Sequence, residues 1–600
     1  MKILKKYWHW FLILPISIVF FFLTSLTNYY SHFYNKTGDF VKWTSPDETA
    51  NYIFSKYYGQ EGDIIIKENL NKEVKDIIRP RSFRSDNGDM KPMSFLGIIL
   101  IYGQAAKYIS YKILPYLTPI IGSFGLIFFY LLVRKLFDKR TALVSFLLLA
   151  AFPPYFYYTA RSMFHNVLFM VFVIIFLYFA LMMNSHHKER CINCTNRLVY
   201  YLANNWLGIM LSVLSGIFYG LSIAVRTSEL IWLGPLLIVL WLFNIKKTGV
   251  VKPILFVIAT LVVLLPIFKY NTELYGAFYQ GGYSQMNSTI SNISNDGASL
   301  MKDAARGQFA AAKDTVARLA QSVFYFGFKP TQSLWMIKYY LVDMFPWLFW
   351  GSMIGGVAYI LMRAKKLDKK FFAYVVTYLL TAAILALYYG SWEFHDNPDI
   401  TQHTIGNSYT RYWLPIYLGL IPFVAWLIWR PAKYILLKKL QNNAFFSRFI
   451  GTRKTVYLIW VIFIVAVISV KSISYVTIGS AEGLVYQVSK MPDTYLQWRK
   501  VLDLTESNST IITIYHDKLF FPERKVVVGD FNDPRMVDEY IKILKLSPLY
   551  YYNFTLRPND VRYLNNKKFK NLHLKIIEIE KINDTFTLYQ LIGTEKKSEL

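Results

Sequence analysis

Apolar runs separated by short polar or basic stretches dominate this chain from residue 10 to residue 475. Runs long enough for a helix to cross a hydrocarbon core of about 30 Å recur near 10–28, 115–133, 141–159, 164–183, 206–225, 229–245, 251–268, 341–362, 371–389, 410–429 and 456–475. The pattern predicts a polytopic α-helical membrane protein with eleven crossings. One more run, Met93 to Leu114, is interrupted by Gln104, Lys107 and Lys112, so it predicts a helix lying on or dipping into the surface. After residue 476 the period shortens: Thr510 to Tyr515 and Lys525 to Gly529 read as strands and Val537 to Leu546 as a helix. Residues 476–600 are therefore expected to form a small soluble α/β domain behind a membrane domain of residues 1–475.

Charge decides the orientation. The formal net charge is +28, a value that can signal nucleic acid. Here the cations cluster between apolar runs, at Arg134 to Arg140, Lys188 to Arg197, Lys246 to Lys252, Arg363 to Lys370 and Arg430 to Lys454. If Met93 to Leu114 does not cross, all of them fall on the side of Lys2, Lys5 and Lys6, as the positive-inside rule requires. No nucleic-acid partner is expected. The expected topology is an uncleaved first helix with a cytoplasmic N-terminus in a plasma membrane. Residues 29–114, 270–340, 390–409 and the tail are then extracytoplasmic. With 54% hydrophobic and 17% charged residues an ordinary soluble fold is excluded, and two cysteines supply no disulfide framework.

That topology gathers Asp47 and Glu48, Asp89 and Lys91, Arg161 and His165, Arg226 and Glu229, and Arg411 on the outer side. A carboxylate near cations suits attack of a hydroxyl on a sugar carbon whose leaving group is a phosphate. The carboxylate takes the proton, and Arg or Lys stabilises the departing charge. Plainer readings compete. Ser45-Pro46-Asp47-Glu48 is also a helix-start signal, and Arg226 with Glu229 has the i,i+3 spacing of a local ion pair outside the site. His395, Asp399 and His403 hold metal-ligating groups in one polar loop, where chance composition explains them better than a divalent ion does. His186, His187, Cys191 and Cys194 are a weak match to a zinc site. No cofactor is required.

The order of motifs resembles the lipid-phosphate-sugar glycosyltransferases of the GT-C fold, the group of protein O-mannosyltransferases and the aminoarabinose transferase acting on lipid A. Carrying the resemblance are Pro46-Asp47-Glu48-Thr49-Ala50-Asn51-Tyr52, Asp89-Met90-Lys91-Pro92-Met93, Tyr270-Asn271 with Tyr275-Gly276 and Gly281-Gly282-Tyr283, and Arg411-Tyr412-Trp413-Leu414-Pro415. It implies an inverting transferase that moves one sugar from a polyprenyl-phosphate carrier to a hydroxyl of a protein, lipid or glycan. Asp47 would be the general base, Glu48 would shape the acceptor side, and Lys91, Arg411 and Arg161 would hold the donor phosphate. The oligosaccharyltransferase branch of the fold fits less well, because its Trp-Trp-Asp-Tyr-Gly string is missing. The alternative is a transporter or flippase for lipid-linked sugars, which predicts ionisable groups deep in helices and related halves.

Overall fold

A computed structural model describes the chain apart from residues 1–6, 29–39, 185–196, 364–368, 440–452, 480–481 and 595–600, scattered positions between 284 and 326, and 395, 397, 398 and 400. The cysteines and His186 and His187 lie outside the described residues, as does much of the loop 270–340.

Seven described helices are long and apolar enough to cross a membrane: Tyr111–Leu136, His165–Met182, Asn204–Val225, Thr227–Thr248, Val251–Tyr275, Lys369–Gly390 and Tyr457–Thr477. Two bent pairs pass the same test, Lys139–Ala150 with Pro153–Arg161 at 52° and Pro330–Asp343 with Pro346–Arg363 at 95°. The shorter apolar helices Trp10–Leu26 and Leu414–Arg430 occupy the two remaining runs, so each of the eleven expected segments has its helix. The protein is a multi-pass membrane protein. The bends were not anticipated, and proline accounts for them: Pro153 and Pro346 lack an amide donor and push the residue before them, Phe152 and Phe345, out of helical geometry.

The described residues divide into two compact units. The membrane unit holds Met1–Thr27, Tyr116–Gln280 and Ser284–Tyr486, and the loop–tail unit holds Asn28–Pro115, Gly281–Tyr283 and Gln487–Leu600. In the membrane unit, small residues let helices approach to backbone contact. A Cβ on Gly216 would stand 2.3 Å from the Phe256 carbonyl oxygen, and one on Gly355 at 2.3 Å from that of Phe423. Thr260 Oγ1 donates to the Gly216 carbonyl at 3.0 Å across the first of these contacts.

The loop–tail unit carries two sheets. Strands β1 (Ile66–Lys67), β2 (Phe83–Asp86) and β3 (Asp89–Pro92) pair antiparallel in the order β1-β3-β2. Strands β4 (Thr510–Thr513), β5 (Lys525–Val528), β6 (Leu549–Phe554), β7 (Leu574–Lys581) and β8 (Phe586–Gly593) form a mixed sheet in the order β5-β4-β6-β8-β7. β4 is parallel to β5 and β6, whereas β8 is antiparallel to β6 and β7. The helix Pro534–Leu544 lays Val537, Tyr540 and Ile543 on that sheet, and the shared core also takes in Val74 and Ile78 from the segment after the first helix. Ile78 bridges directly to Val527 of β5. Ion pairs Lys42–Glu523 at 2.6 Å and Lys75–Glu539 at 3.0 Å add to this union of loop and tail.

Candidate active-site residues

The carboxylate half lies in the loop–tail unit. Ser45 and Glu48 close a capping box on the helix Pro46–Glu61: the Glu48 carboxylate accepts from the Ser45 amide at 3.1 Å. Glu48 is fully buried, so its carboxylate works within the helix start, while Asp47, one residue earlier, is only half-buried. Ser82 Oγ donates to Asp47 Oδ1 at 2.7 Å. Ser82 has a φ of 63°, a left-handed backbone that costs a non-glycine residue on the order of 1 kcal/mol or more. The Asp47 helix crosses the helix Leu96–Tyr108 closely, since a Cβ on Gly103 would meet Tyr58 Cδ1 at 2.4 Å. Ser94 Oγ also donates to Asn51 Oδ1 at 3.0 Å, tying this helix to the segment that carries Lys91.

Lys91 stands on β3 opposite Arg84 of β2 and pairs with Asp86 at 2.8 Å. Burial works against the Asp86 carboxylate, but hydrogen bonding and charge from Lys91, and then Arg84, outweigh it and hold its pKa below the ordinary value. Two motifs of the resemblance meet here. Gly282 packs so tightly on Pro92-Met93 that a Cβ would lie 2.5 Å from the Pro92 carbonyl oxygen, and Tyr283 packs its ring 5.5 Å from that of Phe95.

The arginine half lies in the membrane unit. Arg161 ends the helix Pro153–Arg161, is 8% exposed, and donates through Nη1 to Tyr157 Oη at 2.9 Å. Ser162 follows with φ 66° and ψ −55°, and the Met163 amide donates back to the Arg161 carbonyl at 2.8 Å. This is the strained γ-turn, held by the Thr118 hydroxyl on the Ser162 carbonyl. The turn delivers Phe164, whose ring lies under two guanidinium groups, Arg161 at 5.2 Å and Arg411 at 4.5 Å. Arg411 sits at the end of the short helix Ser408–Tyr412, donates to Ser408 Oγ at 2.8 Å and also covers the Tyr412 ring at 5.1 Å. Two like charges over one ring repel each other, and an anion bound between them would relieve that repulsion.

Arg226 and Glu229 form the expected local pair at 2.8 Å, fully inside the protein. Tyr389 Oη and Trp232 Nε1 donate to the same carboxylate at 2.7 and 2.5 Å. A cavity of about 780 Å³ opens among the surrounding helices, walled by Phe129, Met170, Trp232, Leu236, Phe256 and Tyr378.

For a metal, the loop offers little. Asp399 accepts from the Thr401 amide and hydroxyl and from Gln402, His403 stacks on Tyr339 with centroids 4.0 Å apart, and His395 lies outside the described residues. Among the described residues no three His, Cys, Asp or Glu side chains come together as a metal site. Ser82 and Phe164 were missed by sequence reasoning. A serine and a phenylalanine carry no motif, and the signal that marks them is the positive φ at Ser82 and Ser162, which a sequence does not display.

No family model and no curated protein matches the sequence. Solved structures do. The oligosaccharyltransferase of Archaeoglobus fulgidus, tethered to an acceptor peptide, superposes with a TM-score of 0.54 at 13% identity, covering 95% of this chain and 71% of that one. The same archaeal enzyme, AglB, in complex with an inhibitory peptide and a dolichol-phosphate gives 0.53 at 13% identity over 94% and 71%. ArnT from Cupriavidus metallidurans in the apo state gives 0.51 at 11% identity over 96% and 97%. At such identities the likeness speaks for architecture alone, and the architecture is that of the GT-C fold with a small C-terminal sheet domain.

Proposed function

We propose that this protein is a membrane glycosyltransferase that takes a sugar from a polyprenyl-phosphate carrier and delivers it to an acceptor hydroxyl. The observation that carries the reading is the convergence of Arg161 and Arg411 on Phe164 within a GT-C fold. A related fold is known with an acceptor peptide and with a dolichol-phosphate, which supports a lipid-phosphate donor. The acceptor oxygen attacks the anomeric carbon as the carbon–phosphate oxygen bond breaks, and Asp47 takes the hydroxyl proton. One displacement with no covalent intermediate inverts the anomeric centre. Arg411 and Arg161 hold the phosphate that leaves, and Lys91 joins them only by exchanging Asp86 for it. Glu48 supports Asp47 by fixing the helix start. The cavity, walled mainly by apolar side chains and also by Lys246, Lys247, Lys369 and Lys370, is roomy enough for isoprenoid units of the carrier. Transfer of a single sugar is favoured over an assembled glycan by the missing Trp-Trp-Asp-Tyr-Gly string. The charge pattern supports chemistry and a tail outside a plasma membrane, with a cytoplasmic N-terminus.

The test is sugar transfer from a panel of labelled polyprenyl-phosphate monosaccharides in purified membranes. Wild-type turnover should fall by about 10²–10⁴-fold in Asp47→Asn with donor binding retained. Donor binding without turnover in either protein would favour a carrier-lipid transporter instead.

A further inference from the structure

The tail reaches the candidate base through two consecutive residues of the first outer loop. Asp517, just after β4, has a wholly buried carboxylate. Arg81 Nε and Nη2 donate to its Oδ1 at 3.1 and 2.6 Å, and the Arg81 amide donates to its Oδ2 at 2.8 Å. Arg81 Nη2 also donates to the Tyr515 carbonyl at 3.1 Å. On the other side, Arg79 Nη1 donates to the Phe83 carbonyl at 2.7 Å, and the Phe83 ring packs against Phe521 of the tail at 5.2 Å. Ser82 is thus clamped before and after, in a left-handed conformation that persists only where its surroundings impose it. Its hydroxyl is the donor to Asp47.

A buried carboxylate with a three-point arginine contact costs too much desolvation to be incidental. The backbone amide contact means that it fixes the chain direction at Arg81 as well as the side chain. We propose that Asp517 is a positioning residue for Asp47, acting through Arg81 and the Ser82 hydroxyl. The inference rests on Asp47 being the general base. It gives the tail a defined role, in which a residue 436 positions beyond Arg81 sets the orientation of the group that receives the proton.

Full-length Asp517→Asn, Ser82→Ala and the double variant are compared in membranes with the same donor panel, alongside Ser82→Asn. Asparagine tolerates the left-handed backbone and restores a donor. Each single variant should lower kcat about tenfold with donor KM within about twofold, and the double should lose no more than the worse single, because both act on one contact. Ser82→Asn should recover to within about threefold of wild type. Hydrogen exchange supplies a readout independent of turnover. In Asp517→Asn, exchange should quicken at residues 79–86 and also at 45–52, the start of the Asp47 helix. Quickening confined to 79–86 and 510–520, or unchanged kcat in folded Asp517→Asn, overturns the proposal. Should Asp517→Asn fail to fold, the Ser82→Ala loss and its Ser82→Asn rescue decide, since both leave the ion pair intact. Should wild type transfer no sugar at all, the glycosyltransferase reading fails, and exchange at 45–52 still decides whether Asp517 governs the placement of Asp47.

Discussion

The membrane unit and the loop–tail unit surround their charges differently. In the membrane unit three arginines lie over aromatic rings, Arg161 and Arg226 buried and Arg411 half-buried: Arg161 and Arg411 share Phe164, and Arg226 covers Tyr412 at 4.6 Å while paired with Glu229. In the loop–tail unit ion pairs set a buried group against a partly exposed one and join segments distant in sequence, as buried Lys42 joins Glu523 and Arg81 joins buried Asp517. A cation in a dry, aromatic setting interacts strongly with any anion that reaches it, because little water screens the pair. Asp47, at a helix start, is half-buried and accepts from the Ser82 hydroxyl.

The sharpest way to break this comparison is Glu229→Ala. It leaves Arg226 buried beside Tyr389 and Trp232 without its carboxylate, and loss of one partner of a buried pair costs about 3–5 kcal/mol. The expected result is loss of folded protein, read as a collapse of the thermal transition in detergent.

The loop–tail unit has its own titration. Burial, with help from Lys518 and Arg81 and against Asp517, pushes His516 down to about 4. Its ring packs between Tyr552 and Phe586 at 5.1 and 4.5 Å. The unfolded chain takes this proton near pH 6.5, the folded chain only near 4. The contribution is therefore complete above about pH 6.5, declines as pH falls, and levels off below about 4, a loss of about 3 kcal/mol in total. Hydrogen-exchange protection of β4 and β6, corrected for intrinsic rates, should fall across that window in wild type and stay flat there in His516→Phe.

These contrasts also mark what could be read along the chain. The eleven apolar segments were legible because run length is set by bilayer thickness, and the Arg226–Glu229 pair because i,i+3 spacing is local. The helix start at Ser45 was legible for the same reason. The merger of residues 28–115 with the tail was not: Val74 and Ile78 entering a core with Ile512 and Val527 leaves no periodic trace. Arg161 and Arg411 were both assigned to the donor phosphate, but the ring that joins them depends on the γ-turn at Ser162, a backbone state that serine does not advertise.

Arg411→Lys tests whether that ring matters. Lysine keeps the charge but loses the planar fork that stacks on Phe164 and donates to Ser408. A fall of about tenfold or more in donor kcat/KM, with the fold intact, is expected; retention of wild-type values would reduce the site to a point charge.

The smallest expected effect discriminates most finely, because it opposes Lys91 to its own partner. Lys91 is 13% exposed and Asp86 41%, so their bridge is worth about 1 kcal/mol at most. If Lys91 only fastens β3 to β2, then Lys91→Ala and Asp86→Ala lower stability equally, the double variant is no worse than either, and donor KM stays put. If Lys91 exchanges Asp86 for the donor phosphate, the two variants diverge in sign. Lys91→Ala raises donor KM about threefold, whereas Asp86→Ala removes the competing carboxylate and lowers it by a similar factor. Equal and opposite shifts in donor KM would connect the charges of the loop to the phosphate chemistry assigned to the arginines. Parallel shifts would confine the phosphate to the aromatic setting of Arg161 and Arg411, and the loop would then contribute the base alone.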